Sequence, residues 1–203
     1  FYTTTGVGRG FNLYYQKVDP GKLDISAYTS NRVGGDVNYN VILSENSSFQ
    51  FGYGFQNLFV KSVGLVQQIQ NFVNIYGRNF NQARITGGWN RNTYDQLPFP
   101  NSGLNQQASF LYALPVTSDS LNYYKTSYLA HYYLPLTHGF VLSVLGNLGY
   151  GNGFNHQGLP FFENYYAGGI AQPGQVRGYE SYSLGPHDSS GNAIGANFLV
   201  NGS

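Results

Sequence analysis

The residue in this sequence with the most distinctive chemistry is Arg177, which lies in the segment Val176-Arg177-Gly178-Tyr179. A guanidinium offers five N–H donors in a planar fork that matches a carboxylate. Gly178 permits a tight backbone bend, and Tyr179 offers a flat packing face. Two interpretations stay open: a solvated loop with an incidental arginine, or a loop that folds into an interior. In the second case Arg177 requires a carboxylate partner, because an unpaired buried charge is costly.

Other candidates for chemistry are weak. The sequence has no cysteine, which excludes disulfides, zinc–thiolate sites and thiol catalysis. Its four histidines are not at ligand spacing; they are His131, His138, His156 and His187. His187-Asp188-Ser189 is contiguous, and neighbours in sequence rarely reach triad geometry. Gly6, Gly8 and Gly10 lack the lysine and the following helix of a phosphate loop. We therefore predict that the protein is not an enzyme and that it uses no metal and no cofactor.

The composition narrows the class of protein further. Charged residues make up 9% of the chain, against roughly 25% in soluble domains, and aromatic residues make up 17%. The net charge is +1 without a cluster of Lys and Arg, which argues against nucleic-acid binding. The sequence contains neither a long apolar run typical of a transmembrane helix nor a signal peptide. Phe1 begins in the middle of a pattern, so we expect a fragment of a larger protein.

Apolar and polar residues alternate with a period of two in segment after segment, which predicts β-strands. Phe49, Phe51, Tyr53 and Phe55 share one face, for example, and the residues between them are Gly and Gln. Eight strands are predicted near residues 6–17, 32–43, 48–59, 79–91, 104–114, 122–134, 139–150 and 193–200. Apolar residues at helical spacing over 65–76 predict a helix there, with a ninth strand as the alternative.

The strands have the length and the surface of membrane strands. Most are about 10 to 13 residues long, whereas spanning a bilayer at a tilt takes roughly 9–11. One face is apolar with aromatic residues near the strand ends, and the other is polar but almost uncharged. A soluble β-sandwich would carry more charge on its outer face. The predicted fold class is therefore all-β: a transmembrane antiparallel β-barrel, here a partial barrel of about eight strands.

The connections alternate in length, as they do in outer-membrane barrels. Residues 18–31, 60–78, 115–121 and 151–192 are predicted to lie outside the cell, and residues 44–47, 92–103 and 135–138 on the periplasmic side. The segment 151–192 is far longer than an ordinary connection, and such loops are usually functional or disordered. Its aromatic centre argues against disorder and makes it the candidate functional loop.

Several motifs together resemble the family of the outer-membrane assembly factor BamA and its relatives. Leu159-Pro160-Phe161-Phe162-Glu163-Asn164-Tyr165-Tyr166-Ala167-Gly168-Gly169 resembles the family's approach to loop six. Val176-Arg177-Gly178-Tyr179 is similar to its Val-Arg-Gly-aromatic signature, and Ser183-Leu184-Gly185-Pro186 to the segment that follows. Gly88-Trp89 with Asp95, Pro100 and Gly103 resembles a strand end and periplasmic turn of the family. Segment 170–175 is slightly longer than the family pattern.

The resemblance implies a sixteen-stranded barrel preceded by POTRA domains, of which residues 1–203 supply strands five to twelve, with 151–192 as loop six. It implies that Arg177 anchors the loop through acidic residues of later strands, that Val176 and Tyr179 pack beside it, and that Gly178 permits the turn. The implied supporting residues are Glu163, Gly168, Gly169, Gly185 and Pro186.

The function implied by the resemblance is that of a Gram-negative outer-membrane insertase. It would act without covalent chemistry, on nascent outer-membrane proteins as clients, in the lipid bilayer and with accessory lipoproteins. A TamA-like or two-partner-secretion transporter of the same superfamily and a simple diffusion porin remain alternatives. An omptin-like protease would require a catalytic cluster that the sequence does not offer.

Overall fold

A computed structural model of the chain describes residues 6–18, 28–63, 67–154, 158–170, 174–188 and 191–203. Eight strands form a single sheet in which each strand pairs with the next one along the chain. All seven pairings are antiparallel. The strands are β1 Val7–Val18, β2 Tyr28–Ser44, β3 Ser47–Val63, β4 Asn79–Asn92, β5 Gly103–Leu114, β6 Tyr123–Pro135, β7 Val141–Gly153 and β8 Phe198–Gly202. The predicted fold class is confirmed, and the sheet is open between β1 and β8 in the described part of the chain.

The strands run further than the alternation predicted at one end of the sheet. The strands β2 and β3 each contain 17 residues, and their pairing extends to Tyr28 opposite Val63. The predicted connections 18–31 and 60–78 are correspondingly shorter. At the other end of the sheet, β2 and β3 are joined by a tight turn at residues 45 and 46. The contrast between a long and a tight connection is clear on the two sides of β3, and the orientation in the membrane stays a prediction.

One face of the sheet carries the apolar stripes, and many of its large apolar side chains are exposed. Phe11 and Leu13 on β1 are 72% and 87% exposed. The same face continues across the other strands with Val33, Phe51, Phe55, Phe110, Tyr132, Val144, Leu148, Phe198 and Val200. Such a surface is unstable in water but matches the apolar band that a barrel presents to lipid. The polar residues between these positions line the concave side of the sheet.

Glycines on the concave side make room for polar side chains to meet across a strand. Gly54 lies between Asp36 and Arg84 in the register of three neighbouring strands. A Cβ at Gly54 would lie 2.0 Å from the Asp36 carboxylate. Without that Cβ, Arg84 Nη2 reaches Asp36 Oδ1 at 3.0 Å. Gly34 makes the same kind of opening for Tyr14, whose hydroxyl donates to Gln56 Oε1 at 3.1 Å.

The connection between β3 and β4 contains a helix, as predicted, and not a ninth strand. Helix α1 spans Gln67–Tyr76, and it buries Ile69 and Val73. Positions 65 and 66 of the predicted helix lie outside the described residues. The helix packs on the concave wall of the sheet against a cluster of buried apolar residues. This cluster contains Tyr28, Leu58, Val60, Phe80, Ala113, Leu121, Tyr123 and Phe162. We call these residues, with α1, the cap.

The last strand differs from its prediction. The strand β8 begins at Phe198, whereas the alternation placed its start at 193. A continuous strand from residue 193 would place Ile194 on the outward face with Phe198 and Val200, but Ile194 packs against the buried apolar residues of the cap. The reason is that Ala193 and Ala196 form isolated bridges with loop residues His187 and Tyr165 instead of pairing with a neighbouring strand. Alternation alone does not distinguish a barrel strand from a loop segment that pairs with another part of its own loop.

None of the helices among the described residues combines the length and the apolarity needed to cross a membrane.

Candidate functional site

The loop between β7 and β8 is fixed to the concave wall by one carboxylate. A short 3-10 turn, Phe161–Glu163, opens the loop and buries Phe162 and Glu163. Glu163 Oε2 lies 3.1 Å from Lys125 Nζ on β6, and Glu163 Oε1 lies 3.4 Å from Arg32 Nη2 on β2. Arg32 Nη2 also donates to the carbonyl oxygen of Phe162 at 3.2 Å. A single acid of this loop thus bridges two strands that are four places apart in the sheet.

Glu163, Arg32 and Lys125 form a mostly buried triad of charges, which we call the Glu163 triad. The side chain of Glu163 is 10% exposed, and those of Arg32 and Lys125 are 20% and 22% exposed. The aromatic residues of the cap shield the carboxylate from solvent, which strengthens the attraction between opposite charges. The same shielding makes the removal of one partner expensive, because the remaining charge loses its compensation. The triad carries one negative and two positive charges.

Tyr165 makes a second attachment, two residues after Glu163. Its hydroxyl donates to the carbonyl oxygen of Thr126 at 2.8 Å, and Lys125 Nζ lies 4.6 Å from its ring centroid. The ring lies against Gly149 on the concave face of β7, where a Cβ would come within 2.8 Å of a ring carbon. Burial, with a smaller contribution from the nearby Glu163 carboxylate, raises the pKa of Tyr165 to about 12. The tyrosine is therefore neutral at physiological pH and can donate its proton.

Backbone pairing within the loop shapes its middle part. Ala167 bridges Leu184, and Gly169 bridges Val176. Gly168 and Gly169 have φ values of +116° and +74°, and a Cβ on Gly168 would lie 2.4 Å from the carbonyl oxygen of Glu180. Both the left-handed backbone and the close approach require glycine at these positions. The two glycines thus shape the hairpin that leads to the arginine, and their role in supporting Arg177 stays a prediction.

Residues of the arginine signature lie at the end of this hairpin. Val176 is half-buried, Arg177 is exposed, and Tyr179 is 57% exposed. Gly178 has a φ of +85° and open space around it. Glycine is therefore favoured here by the left-handed backbone of the turn and not by close contact with a neighbouring group. Of the ion pairs among the described residues, none includes Arg177. The structure therefore does not bring Arg177 to Glu163, and packing of Val176 and Tyr179 beside the guanidinium stays a prediction.

The remaining predicted positions follow the hairpin. Gly185 has a φ of +116°, and the carbonyl oxygen of Pro186 accepts a hydrogen bond from the backbone N–H of Ile194 at 3.0 Å. Asp188 accepts hydrogen bonds from the backbone and the side chain of Asn192, which stabilises the loop locally. Ser189 and His156 lie outside the described residues, as do residues 171–173 of the lengthened segment.

Sequence reasoning singled out Glu163 but not its two cationic partners. Arg32 and Lys125 both occupy polar positions in the alternation, so the sequence predicts that they lie on the concave face of the sheet. The sequence does not predict that both cations bind Glu163, because that contact depends on how the loop folds back onto the sheet. A second network was missed for the same reason: Arg84 bonds Asp36 at 3.0 Å and also donates to the hydroxyl of Tyr14.

The packing of Tyr165 on β7 gives a direct test of how the loop is seated. We expect Gly149→Ala to lower the free energy of unfolding of the full-length barrel by about 1–3 kcal/mol, because the new methyl group overlaps the ring. Gly146→Ala on the same strand is the matched control, since a Cβ there meets nothing within 4 Å. The measurement is urea-induced unfolding in lipid vesicles, and equal losses in the two variants would contradict this packing.

Long antiparallel strands with an apolar outer face, a polar concave face and an inward-folded loop define a transmembrane β-barrel protein of the outer-membrane class. Residues 2–203 match the model of the Omp85 superfamily domain. The chain is 30% identical over 208 residues to "Outer membrane protein assembly factor BamA" of Neisseria meningitidis serogroup B, which covers 96% of the chain. A crystal structure of BamA from Haemophilus ducreyi lacking POTRA domains 1-3 aligns over all of the chain with a TM-score of 0.87 and 25% identity.

The chain therefore belongs to the Omp85 superfamily, and its similarity in sequence and structure assigns it to the BamA family within it. Members of this family are proteins of the Gram-negative outer membrane, which is also the location of this chain. The chain spans 26% of the length of the Neisseria relative and 42% of the Haemophilus chain.

Proposed function

We propose that the protein to which this chain belongs is an outer-membrane β-barrel insertase, which folds nascent outer-membrane proteins and releases them into the bilayer. The Neisseria relative carries the words "assembly factor" in its name, and its match covers 96% of the chain. The proposed action needs no covalent step: the barrel offers strand edges to a client and guides pairing by backbone hydrogen bonds. The proposed partners are client proteins, accessory lipoproteins and the POTRA domains of the same protein.

The observation that carries this proposal is the attachment of loop six to the barrel wall. A loop held by the Glu163 triad and by Tyr165 presents its arginine hairpin in one orientation. We propose that Arg177, exposed in this part of the barrel, pairs with acidic residues of the strands that follow in the whole protein. An insertase needs a barrel wall that is stable while its seam opens, and a loop fixed at both ends would hold that wall together.

Arg177→Ala in the full-length protein tests this function. We expect client porins in the outer membrane to fall severalfold in a strain that depends on the variant, while the barrel itself remains folded. The loss follows because an alanine cannot pair with the acidic residues of the later strands. The measurement is porin abundance together with the heat-modifiable migration of the variant barrel.

Arg91→Ala is the control, since Arg91 is also exposed but lies at the end of β4, remote from loop six. Normal porin levels with Arg177→Ala would contradict the anchor role. Steady ion conductance through the purified barrel without any effect on client proteins would favour the diffusion porin instead.

A further inference from the structure

An arginine lies on the apolar face of β1 that points away from the barrel interior. Arg9 is exposed, and it shares its face with Phe11 and Leu13, the next outward residues along the strand. Its guanidinium carbon lies 5.1 Å from the ring centroid of Tyr39 on β2, directly opposite Arg9 in the register. A guanidinium over an aromatic face is held in position by the ring quadrupole. The cation is thus fixed on the surface that faces lipid.

A second tyrosine completes this group. The rings of Tyr39 and Tyr53 on β3 are stacked with centroids 6.4 Å apart and planes 29° from parallel. Tyr53 is 49% exposed. One cation and two hydroxyl groups therefore meet on three neighbouring strands. We call Arg9, Tyr39 and Tyr53 the Arg9 patch.

The patch lies close to the edge of the apolar band. The next outward row toward the tight turn at residues 45 and 46 contains Val41 opposite Phe49, and Phe49 opposite Trp89. Trp89 Nε1 donates to Ser47 Oγ at 3.0 Å, as expected of an aromatic residue at a membrane interface. The lengths of the connections predict that this turn lies on the periplasmic side. The Arg9 patch is thus one outward row above the row of Phe49 and Trp89, which we take as the periplasmic aromatic girdle.

Charge on a lipid-facing surface is tolerated near the interface and is costly deeper in the membrane. Lys or Arg at the midplane of a barrel destabilises it by about 2–4 kcal/mol, and near the interface by about 0–1 kcal/mol. The planar fork of a guanidinium matches the oxygens of a phosphate, and tyrosine hydroxyls can donate to the same group. The exposed Phe11, Leu13 and Phe51 around the patch offer apolar surface for acyl chains.

From this arrangement we propose that the Arg9 patch binds the phosphate of a phospholipid headgroup in the periplasmic leaflet. Arg9 supplies the charge and the paired donors, Tyr39 orients the guanidinium, and the hydroxyls of Tyr39 and Tyr53 contact the same headgroup. The site is separate from loop six and does not depend on the insertase function. It would give the barrel a preferred lipid at one fixed position on its circumference.

The test uses the full-length protein in detergent and native mass spectrometry to count bound lipids. Phosphatidylglycerol is titrated against a phosphate-free glycolipid with the same acyl chains. We expect Arg9→Gln to weaken the tightest phosphatidylglycerol binding by about tenfold or more, because charge-assisted hydrogen bonds are lost. Lys17→Gln is the matched control, since Lys17 is an exposed cation on the same face at the other end of β1. Heat-modifiable migration confirms that each variant has folded.

The conservative variant Tyr39→Phe keeps the ring and removes one hydroxyl, so we expect a smaller loss than with Arg9→Gln. Equal binding by the wild type and Arg9→Gln would overturn the proposal, and so would an equal loss in Lys17→Gln. Competition by inorganic phosphate as strong as by phosphatidylglycerol would show a site for free phosphate and would also overturn it. Preference for the phosphate-free glycolipid would have the same consequence.

Discussion

Replacing Glu163 by Gln in the full-length protein is expected to lower the free energy of unfolding of the barrel by about 3–5 kcal/mol. The substitution keeps the size of the side chain and its ability to hydrogen-bond, but it removes the negative charge. Arg32 and Lys125 are then left mostly buried next to each other without an anion. The loss should be near the lower limit of this range, because the side chains of Arg32 and Lys125 are about a fifth exposed and water can partly solvate their charges. Urea-induced unfolding in lipid vesicles measures it.

The matched control for this substitution is Glu180→Gln, in the same loop. The side chain of Glu180 is exposed, and in the described part of the chain it takes part in no ion pair. Glu180→Gln should therefore change the free energy of unfolding by no more than about 0.5 kcal/mol. Combining Glu163→Gln with Lys125→Gln tests the mechanism itself. If an uncompensated cation causes the loss, the double variant should be less impaired than the sum of the two single variants. Additive losses would contradict the ionic origin.

The functional consequence follows from where the triad lies. Glu163 opens the loop, and the hairpin that presents Arg177 follows it along the chain. A loop that is detached at Glu163 no longer holds this hairpin in one orientation. Glu163→Gln should therefore impair client assembly at least as strongly as Arg177→Ala, and it should also destabilise the barrel, which Arg177→Ala should not. The two variants thus separate the attachment of the loop from the contact that its end makes.

The order of the strands was readable from the sequence because the period of two is a local property. Each strand shows which side chains face lipid and which face the interior, and the antiparallel neighbours follow from the short connections. Helix α1 was readable for the same reason, since its apolar spacing is also local. The start of β8 was not, because Ile194 fits the alternation equally well whether it faces lipid or packs on the cap.

The candidate site was only partly readable, because it depends on contacts between residues far apart in the chain. Glu163 and Arg32 are separated by 131 positions, and Glu163 and Lys125 by 38. The family resemblance marked Glu163 and the glycines of the loop. It could not show that the carboxylate joins β2 to β6, since this requires the register of the intervening strands and the path of the loop. Charges on the concave face are few, so each is a useful candidate partner once the fold is known.

The cap gives the second large expected effect, through Phe162. Its ring is 7% exposed and lies between Phe80, with centroids 5.6 Å apart, and Phe72 of α1, with centroids 6.4 Å apart. Arg32 also lies over this ring, with its guanidinium carbon 5.9 Å from the centroid. We expect Phe162→Ala to lower the free energy of unfolding of the full-length barrel by about 3–5 kcal/mol. The substitution removes a buried aromatic side chain and leaves a cavity between the loop and the helix.

Two measurements separate a local loosening of the cap from a general loss of stability. Hydrogen exchange at residues 67–76 should accelerate strongly in Phe162→Ala, because α1 loses part of the apolar surface on which it is packed. Exchange in the centre of β5 should change far less, because its hydrogen bonds run along the barrel wall. Phe99→Ala is the control: it removes the same ring at a position that is 81% exposed. Unchanged exchange in α1 would show that the helix is held in place independently of loop six, and the cap would then not couple the two connections.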